Sequence, residues 1–312
     1  MGTQAGSASS PDDFLDKLRS FAIAEGWTVH AWGDRTDGVT GKHLTMSKGG
    51  VAGTFASDFD TFAQPMLVVM GHDAYNGALN PMLQANRSLG SPTNDVTGPF
   101  QAHNLFGGTG ASGPYLHAVI ETQPGLFRHL GLGMINKLGA VSTGVYAHGT
   151  WHDLGVSGRN DPLTPFHRYP FDDYGYWIGG GAYGGGSTAI RADADAQTWR
   201  YASDSPSGNT ARCGYRSQAA GNASYAMKIG NSEVNGITPL RPVIVDARRT
   251  GDFFSPLGYV PDVRFVHLRG IAIRQILTRG SDQWMVFPVV RKNGPGGEQN
   301  SGDFGMAYRI VE

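Results

Sequence analysis

The stretch that most constrains this chain is residues 115–154, YLHAVIETQPGLFRHLGLGMINKLGAVSTGVYAHGTWHDL. In Tyr115–Glu121 the residues Leu116, Ala118 and Ile120 alternate with Tyr115, His117, Val119 and Glu121, the period of a strand with two different faces. Gln123-Pro124-Gly125 supplies a turn, and Leu126–Leu132 runs on as a second apolar segment, so the pair reads as a hairpin. Met134–Val141 and Gly144–His148 extend the pattern. Glycines at 131, 133, 139, 144 and 149 suit bends, bulges or close backbone approach and do not suit helix interiors. The stretch predicts a meander.

The rest of the chain supports that reading. Its 312 residues and 40% hydrophobic content can build a substantial core. The 46 glycines and 17 prolines lack a collagen period and lie among aromatics, which favours a turn-rich β protein over disorder. With 25 Lys plus Arg against 26 Asp plus Glu, no long-range field steers the chain onto nucleic acid or an anionic membrane. A charged fraction of 16% and a net charge of −1 give weak protection against self-association, the profile of a subunit packed against others. One cysteine, Cys213, excludes an intrachain disulfide framework. No signal-peptide pattern and no run of about 18 apolar residues is present, so neither a cleavable leader nor a transmembrane helix is expected.

In chain order, residues 1–11 are small and polar and are expected to be a flexible arm. One helix is predicted from Pro11 to Gly26: Phe14, Leu15, Leu18, Phe21, Ala22 and Glu25 fall at helical spacing, Leu18, Phe21 and Ala22 are expected on the buried face, and Asp12 and Asp13 occupy the first turn. Trp27–Trp32, Leu44–Met46 and Gln64–Met70 read as strands, Val51–Phe62 has no resolvable period, and Asn76–Phe100 reads as a long loop. After the meander, residues 155–186 form an irregular region dense in aromatics. Ser187–Ala192 and Gln197–Ala202 resemble strands, Ser203–Gly236 reads as a surface excursion, and strands follow at Arg241–Asp246, Phe265–Leu268, Ile271–Leu277, Trp284–Val290 and Phe304–Val311. The expected fold is mainly β, an antiparallel sandwich or barrel-like body with an N-terminal helix and long Gly-rich loops. The expected organisation is one domain over 12–312, with 76–110 the place where a sub-boundary would fall.

No residue set carries a catalytic signature, and no cofactor or metal is expected. GTGASG at 108–113 has the letters of a dinucleotide loop, but Pro114 and a strand follow it where a helix is needed. His148, His152 and Asp153 have helical metal spacing. On a strand, however, 148 and 152 stand roughly 13 Å apart, which leaves Trp151 as a buried anchor and the histidines as rim residues. Asp193 and Asp195 lack the other ligands of a calcium loop, Cys213 lacks a positioned base, and the Asn222 sequon matters only in a glycosylating host. The contact candidates are aromatics and arginine on the Gly-rich region: Trp151, Arg168, Tyr169, Tyr174, Tyr176, Trp177 and Tyr183.

The order of segments FLDKLRSFAIAEGW, QPMLVVM, HAVIETQPGLFRHLGLGMINKLGAVSTGVYAHGTW and PLGYVPDVRFV…DQWMVFPVVRK…FGMAYRIVE resembles virion structural proteins of tailed bacteriophages over residues 12–312. The resemblance implies a non-enzymatic subunit of the tail tip or baseplate, assembled in the bacterial host cytoplasm and built into the virion. Its implied partners are copies of itself in a ring and other phage tail proteins. The alternative is a receptor- or glycan-binding β module using Tyr174, Tyr176, Trp177 and Tyr183 on a host-surface glycan. A third class, a glycan hydrolase, needs a carboxylate pair that the sequence does not display.

Overall fold

The computed structural model describes residues 2–61, 65–88, 90–140, 143–152, 167–168, 188–191, 199–201, 211–213, 238–248, 254–293 and 301–310. The chain opens with β1 (Gly2–Ala8), helix α1 (Pro11–Ala24), β2 (Thr28–Asp34), β3 (Lys42–Lys48), β4 (Val51–Asp58), β5 (Met66–His72) and β6 (Ser91–Thr93). It continues through β7 (Phe100–Thr109), β8 (Pro114–Gln123), β9 (Leu126–Met134), β10 (Asn136–Lys137), β11 (Val145–His148), β12 (Trp151–His152), β13 (His167–Arg168), β14 (Thr188–Arg191), β15 (Arg200–Tyr201) and β16 (Ala211–Cys213). The closing strands are β17 (Arg241–Arg248), β18 (Phe254–His267), β19 (Ile276–Arg279), β20 (Asp282–Pro288) and β21 (Phe304–Ile310). Every ladder between described strands is antiparallel.

These strands make three principal sheets. The first has the order β2-β3-β4-β5-β6, the second β1-β7-β8-β9-β11-β14-β15, and the third β16-β17-β18-β21-β20-β19 with β10 paired to β18. The second sheet lies between the other two. Leu105, Leu116, Ala118, Ile120, Leu130, Leu132, Val145 and Ala147 share one core with Leu44, Met46, Phe55 and Val69 of the first sheet and with helix α1. The alternate residues Phe106, Val119, Phe127, Tyr146 and Ile190 share another core with Val243, Val263, Phe287, Met306 and Tyr308 of the third sheet. The chain is thus the expected mainly-β antiparallel sandwich with an N-terminal helix, built in three layers.

The helix forms where the sequence places it. Ser10 caps it by accepting from the Asp13 N–H at 3.1 Å, and Asp13 Oδ2 accepts from the Ser9 N–H at 2.8 Å, a reciprocal box that holds the Asp13 carboxyl below its usual range. Phe14, Leu15, Leu18 and Phe21 are buried, each contributing about 1.5–3 kcal/mol relative to exposure. Gly26, with φ +78°, turns the chain out of the helix.

Several expectations needed correction. Residues 2–8, expected as part of a flexible arm, form β1, paired from Gly2↔Gly107 to Ala8↔Phe100. A strand of small residues needs little burial of its own when a neighbour satisfies its backbone groups. Segment 51–58 showed no period because β4 is buried on both faces: Gly53 meets Leu132 of the central sheet, while Thr54 hydrogen-bonds Thr45 (2.9 Å) and the Pro81 carbonyl (3.2 Å) on the other side. The long 76–100 loop lies over that outer face and contains a short 3-10 turn, Pro81–Leu83, as well as β6. Ile271–Leu277 is a strand only from Ile276; the residues before it are turns. Met134–Val141 yields only the two-residue β10 beyond the end of β9, and Val141 lies outside the described residues.

The packing of the central sheet against the third is set by two glycines. In register, Gly131 of β9 lies between His117 of β8 and His148 of β11, and Gly133 lies between Tyr115 and Tyr146. A Cβ at Gly131 would stand 2.6 Å from His148 Nε2 and 2.7 Å from His117 Nδ1; at Gly133 it would stand 2.6 Å from the Tyr146 hydroxyl oxygen. The rings of the flanking strands therefore meet over a strand that offers no side chain there. Substituting Gly131→Ala is expected to destabilise the fold by about 1–3 kcal/mol in urea unfolding, the cost of overpacking a filled interior. Gly33→Ala, at an edge position with nothing within 4 Å, is the control and is expected to change stability by less than about 0.5 kcal/mol.

Candidate functional site

Trp151 and Arg168 stand directly opposite each other in the two-stranded β12–β13 ladder. Tyr169, Tyr174, Tyr176, Trp177 and Tyr183 lie outside the described residues, as do Asp153, Asp193, Asp195 and Asn222. The GTGASG letters fall on a hairpin connection between β7 and β8, closed by a Gly110 N–H to Gly113 carbonyl bond of 2.8 Å, and the strand β8 follows directly. His148, read as a rim residue, is fully buried, because β11 is an inner strand and its ring points into the space above Gly131. Among the described residues no group of three or more His, Cys, Asp or Glu side chains is placed to hold a metal ion, and no helix is long and apolar enough to cross a membrane.

The densest cluster of titratable side chains lies between the central and third sheets. His117 Nδ1 and His148 Nε2 are 3.3 Å apart, the Tyr146 hydroxyl is 3.1 Å from His117 Nε2, and the Tyr308 hydroxyl is 2.8 Å from His129 Nδ1. His129 Nε2 lies 2.9 Å from the Pro288 carbonyl, which can only accept, so in the neutral ring Nε2 carries the proton and Nδ1 accepts from Tyr308. Tyr308 also stacks on His129 and on Phe106, with ring centroids 5.8 and 4.9 Å apart. At the rim of this layer Tyr115 donates to Asp262 Oδ2 at 2.6 Å.

Burial decides the charge state of this cluster. Desolvation pushes His117 down to about 3, against the pull of the Pro261 carbonyl, and pushes His129 down to about 4. His148 falls well below the ordinary histidine value for the same reason, helped by its neighbours His117 and His129. Burial also drives the Tyr308 hydroxyl well above the tyrosine range. The cluster is neutral and sealed at neutral pH, with its polar atoms turned toward one another. Those are the properties of a packing layer; a general acid or base has to reach a substrate.

Two further buried networks fasten loops to strands. Arg128, fully buried on β9, donates to the Asn94 carbonyl (3.0 Å), the Phe127 carbonyl (3.1 Å) and Asp95 Oδ2 (2.8 Å), and desolvation lowers it to about 10. Arg35 makes a two-pronged pair with Asp37 (3.0 and 2.7 Å) and reaches Asp58 at 3.3 Å and the Ser57 carbonyl at 3.0 Å.

What the described surface offers in place of a cleft of converging acids and bases is strand edges and isolated apolar side chains. β1 is an outer strand of the central sheet, Gln4, Ala5, Gly6 and Ser7 are exposed, and no charge or proline lies along it. Two other edges differ: β2 carries a register break between Val29 and Ala31 and the Asp34–Lys42 ion pair (2.6 Å), and β19 ends in Arg279. Leu79 and Leu83 protrude from the loop over the first sheet. Sequence reasoning missed the β1 edge because GTQAGSA carries no alternating apolar signal. No protein-family model matches this chain, and no curated protein sequence matches it.

The three histidines of this cluster, like the other buried histidines His43, His72 and His103, bind protons more weakly folded than unfolded. Below the unfolded value of 6.5 the unfolded chain therefore takes up more protons, and stability falls with pH from 6.5 toward the folded values of about 4 and 3. Urea midpoints measured at steps from pH 7.5 to pH 5 are expected to fall on the acid side, with a slope of up to about 1.4 kcal/mol per pH unit for each histidine. Flat midpoints across that range would show that these rings titrate in the folded protein as they do in the unfolded chain.

Proposed function

We propose that this protein is a structural and assembly subunit of a bacteriophage tail, placed at the tail tip or baseplate, that works through protein–protein contacts with copies of itself and with other tail proteins. The phage assignment is supported by the resemblance of its ordered segments to tailed-phage virion proteins. The assembly role is supported by one observation above the others: the central sheet ends on β1, an exposed strand with no charge or proline along Gln4–Ser7 and, among the described strands, none paired to its outer side. Such an edge presents unpaired N–H and C=O groups to any strand that reaches it, and natural proteins guard edges that are meant to stay free.

On this reading the partner at β1 is a second copy, and the mechanism is geometric. Backbone hydrogen bonds set the register of the added strand, and aromatic and arginine contacts around the β12–β13 ladder, where Trp151 and Arg168 are register partners, add side-chain specificity. The low charge of the chain favours close approach of copies.

Sedimentation of the purified chain is expected to show multimers, and Ala5→Lys, which places a charge on the exposed edge without touching the core, is expected to shift them toward monomer. High-resolution imaging of virions should place ring-like copies at the tail tip or baseplate. A chain that stays monomeric at all concentrations and is absent from virions would overturn the proposal.

A further inference from the structure

The outward face of the third sheet carries a pocket of about 460 Å³ beside the small apolar cluster formed by Val266, Leu268, Ile271, Leu277, Trp284 and Val286. Two arginines line it, Arg269 from the turn after β18 and Arg279 from the end of β19, and no acid is among its lining residues. Gln275 and Thr238 add an amide and a hydroxyl, and Ile271 and Leu277 supply an apolar flank.

The two guanidiniums are differently placed. Arg279 is held in position, with Nη1 donating to the Thr278 carbonyl at 3.0 Å and Nη2 to the Thr238 carbonyl at 3.1 Å, which among the described residues leaves three of its five N–H groups uncommitted. Arg269 makes no side-chain hydrogen bond or ion pair with any described residue; only its backbone N–H is engaged, with His267 Nδ1. Among the described residues, the nearby acids are directed elsewhere. Asp282 lies opposite Arg279 in the hairpin register, yet it is taken by Arg309 at 2.7 Å. Asp303 stands 4.0 Å from His267. Behind the pocket the Lys292 ammonium donates to the Ile271 carbonyl at 2.5 Å and adds positive potential.

Both arginines are exposed, so water screens their mutual repulsion, and an anion placed between them gains from both charges. Guanidinium groups with free N–H edges recognise planar or tetrahedral oxyanions through paired, charge-assisted hydrogen bonds. We infer that this pocket binds an oxyanion, a carboxylate or phosphate, carried on a small organic body whose less polar face rests on Ile271 and Leu277. Gln275 Oε1 already accepts from the Ala272 N–H at 2.9 Å, so its amide nitrogen is oriented as a further donor. This site is independent of the β1 edge and of the assembly role.

The test is titration of the full chain with sodium glucuronate, glucose 6-phosphate, inorganic phosphate and glucose, followed by calorimetry or amide chemical shifts. Glucuronate or glucose 6-phosphate is expected to bind saturably with a Kd of roughly 1 mM or tighter while glucose does not, and whichever binds more tightly identifies the oxyanion. Arg269→Gln, at a side chain with no bond to the described fold, is expected to weaken binding about tenfold or more, and added salt is expected to weaken it further. Arg279→Gln should do the same, with Arg269→Gln guarding against loss of the Arg279 bond to Thr238 as the cause. Absence of saturable binding by any of the anions, or binding that Arg269→Gln leaves unchanged, overturns the inference. Inorganic phosphate binding as tightly as glucose 6-phosphate overturns the role given to Ile271 and Leu277.

Discussion

The meeting of rings over Gly131 and Gly133 is the contact on which the three-layer arrangement depends. Stacked sheets keep about 10 Å between them, a space that pairs of aliphatic side chains fill on the side of the central sheet facing β4 and β5. On the opposite side the rings of His117, His148, Tyr115 and Tyr146 are too bulky to stand in a row beside a third side chain. β9 resolves this by presenting glycine at both positions where two rings converge. The central sheet can then be buried on both faces, which is uncommon for an antiparallel sheet and demands a hydrogen-bond partner for the polar atoms so enclosed. Tyr308 and the Pro288 carbonyl of the third sheet supply those for His129, so the same polar contacts that satisfy the ring also fix how the two sheets face each other.

Much of this was readable where local pattern and tertiary role coincide. Helix α1 announced itself through its caps and the spacing of Phe14, Leu18 and Phe21, and the β8–β9 hairpin through the alternation around Pro124-Gly125. The two faces of β8 were visible as Leu116, Ala118 and Ile120 against Tyr115, His117 and Val119, although sequence alone did not show that both faces are buried. Gly131 and Gly133 were recognisable as places of close approach, but not what approaches. His129 and Tyr308 lie 179 positions apart, and their contact is a product of topology, which no local period reports. β4 hid its period by being buried on both sides, and β1 hid by having almost no side chains. The β1 edge and the arginine pocket were therefore illegible for opposite reasons: one rests on backbone groups common to every residue, the other on two arginines ten positions apart that only the turn between β18 and β19 brings to one pocket.

The distribution of charge follows the layers. Buried arginines are matched one by one: Arg128 with Asp95 and backbone carbonyls, Arg35 with Asp37 and Asp58. Each such pair spends much of its Coulomb attraction on desolvation, so its effect is to fix geometry more than to add stability. Arg128 pins the segment before β7 to the middle of β9, and Arg35 pins the connection after β2 to the end of β4. The arginine pair on the far face of the third sheet is different: Arg269 and Arg279 are exposed, and among the described residues neither has a carboxylate partner.

A sheet clamped on both faces also has a mechanical consequence for its rim. An outer strand of an open two-layer sandwich can twist with its sheet. β1 is joined through β7 and β8 to a strand, β9, whose side chains are locked between two cores, and helix α1 packs against β1 and β7 as well. The edge is thus presented at a fixed angle to the body of the molecule. Strand addition at a fixed angle turns the shape of one copy into the curvature of an array, and closure into a ring follows only if that angle is the same at every joint. A rigid centre and an unguarded rim are separate features of the sequence, one made by glycines beneath rings and the other by a run of small uncharged residues, and an assembly subunit requires both.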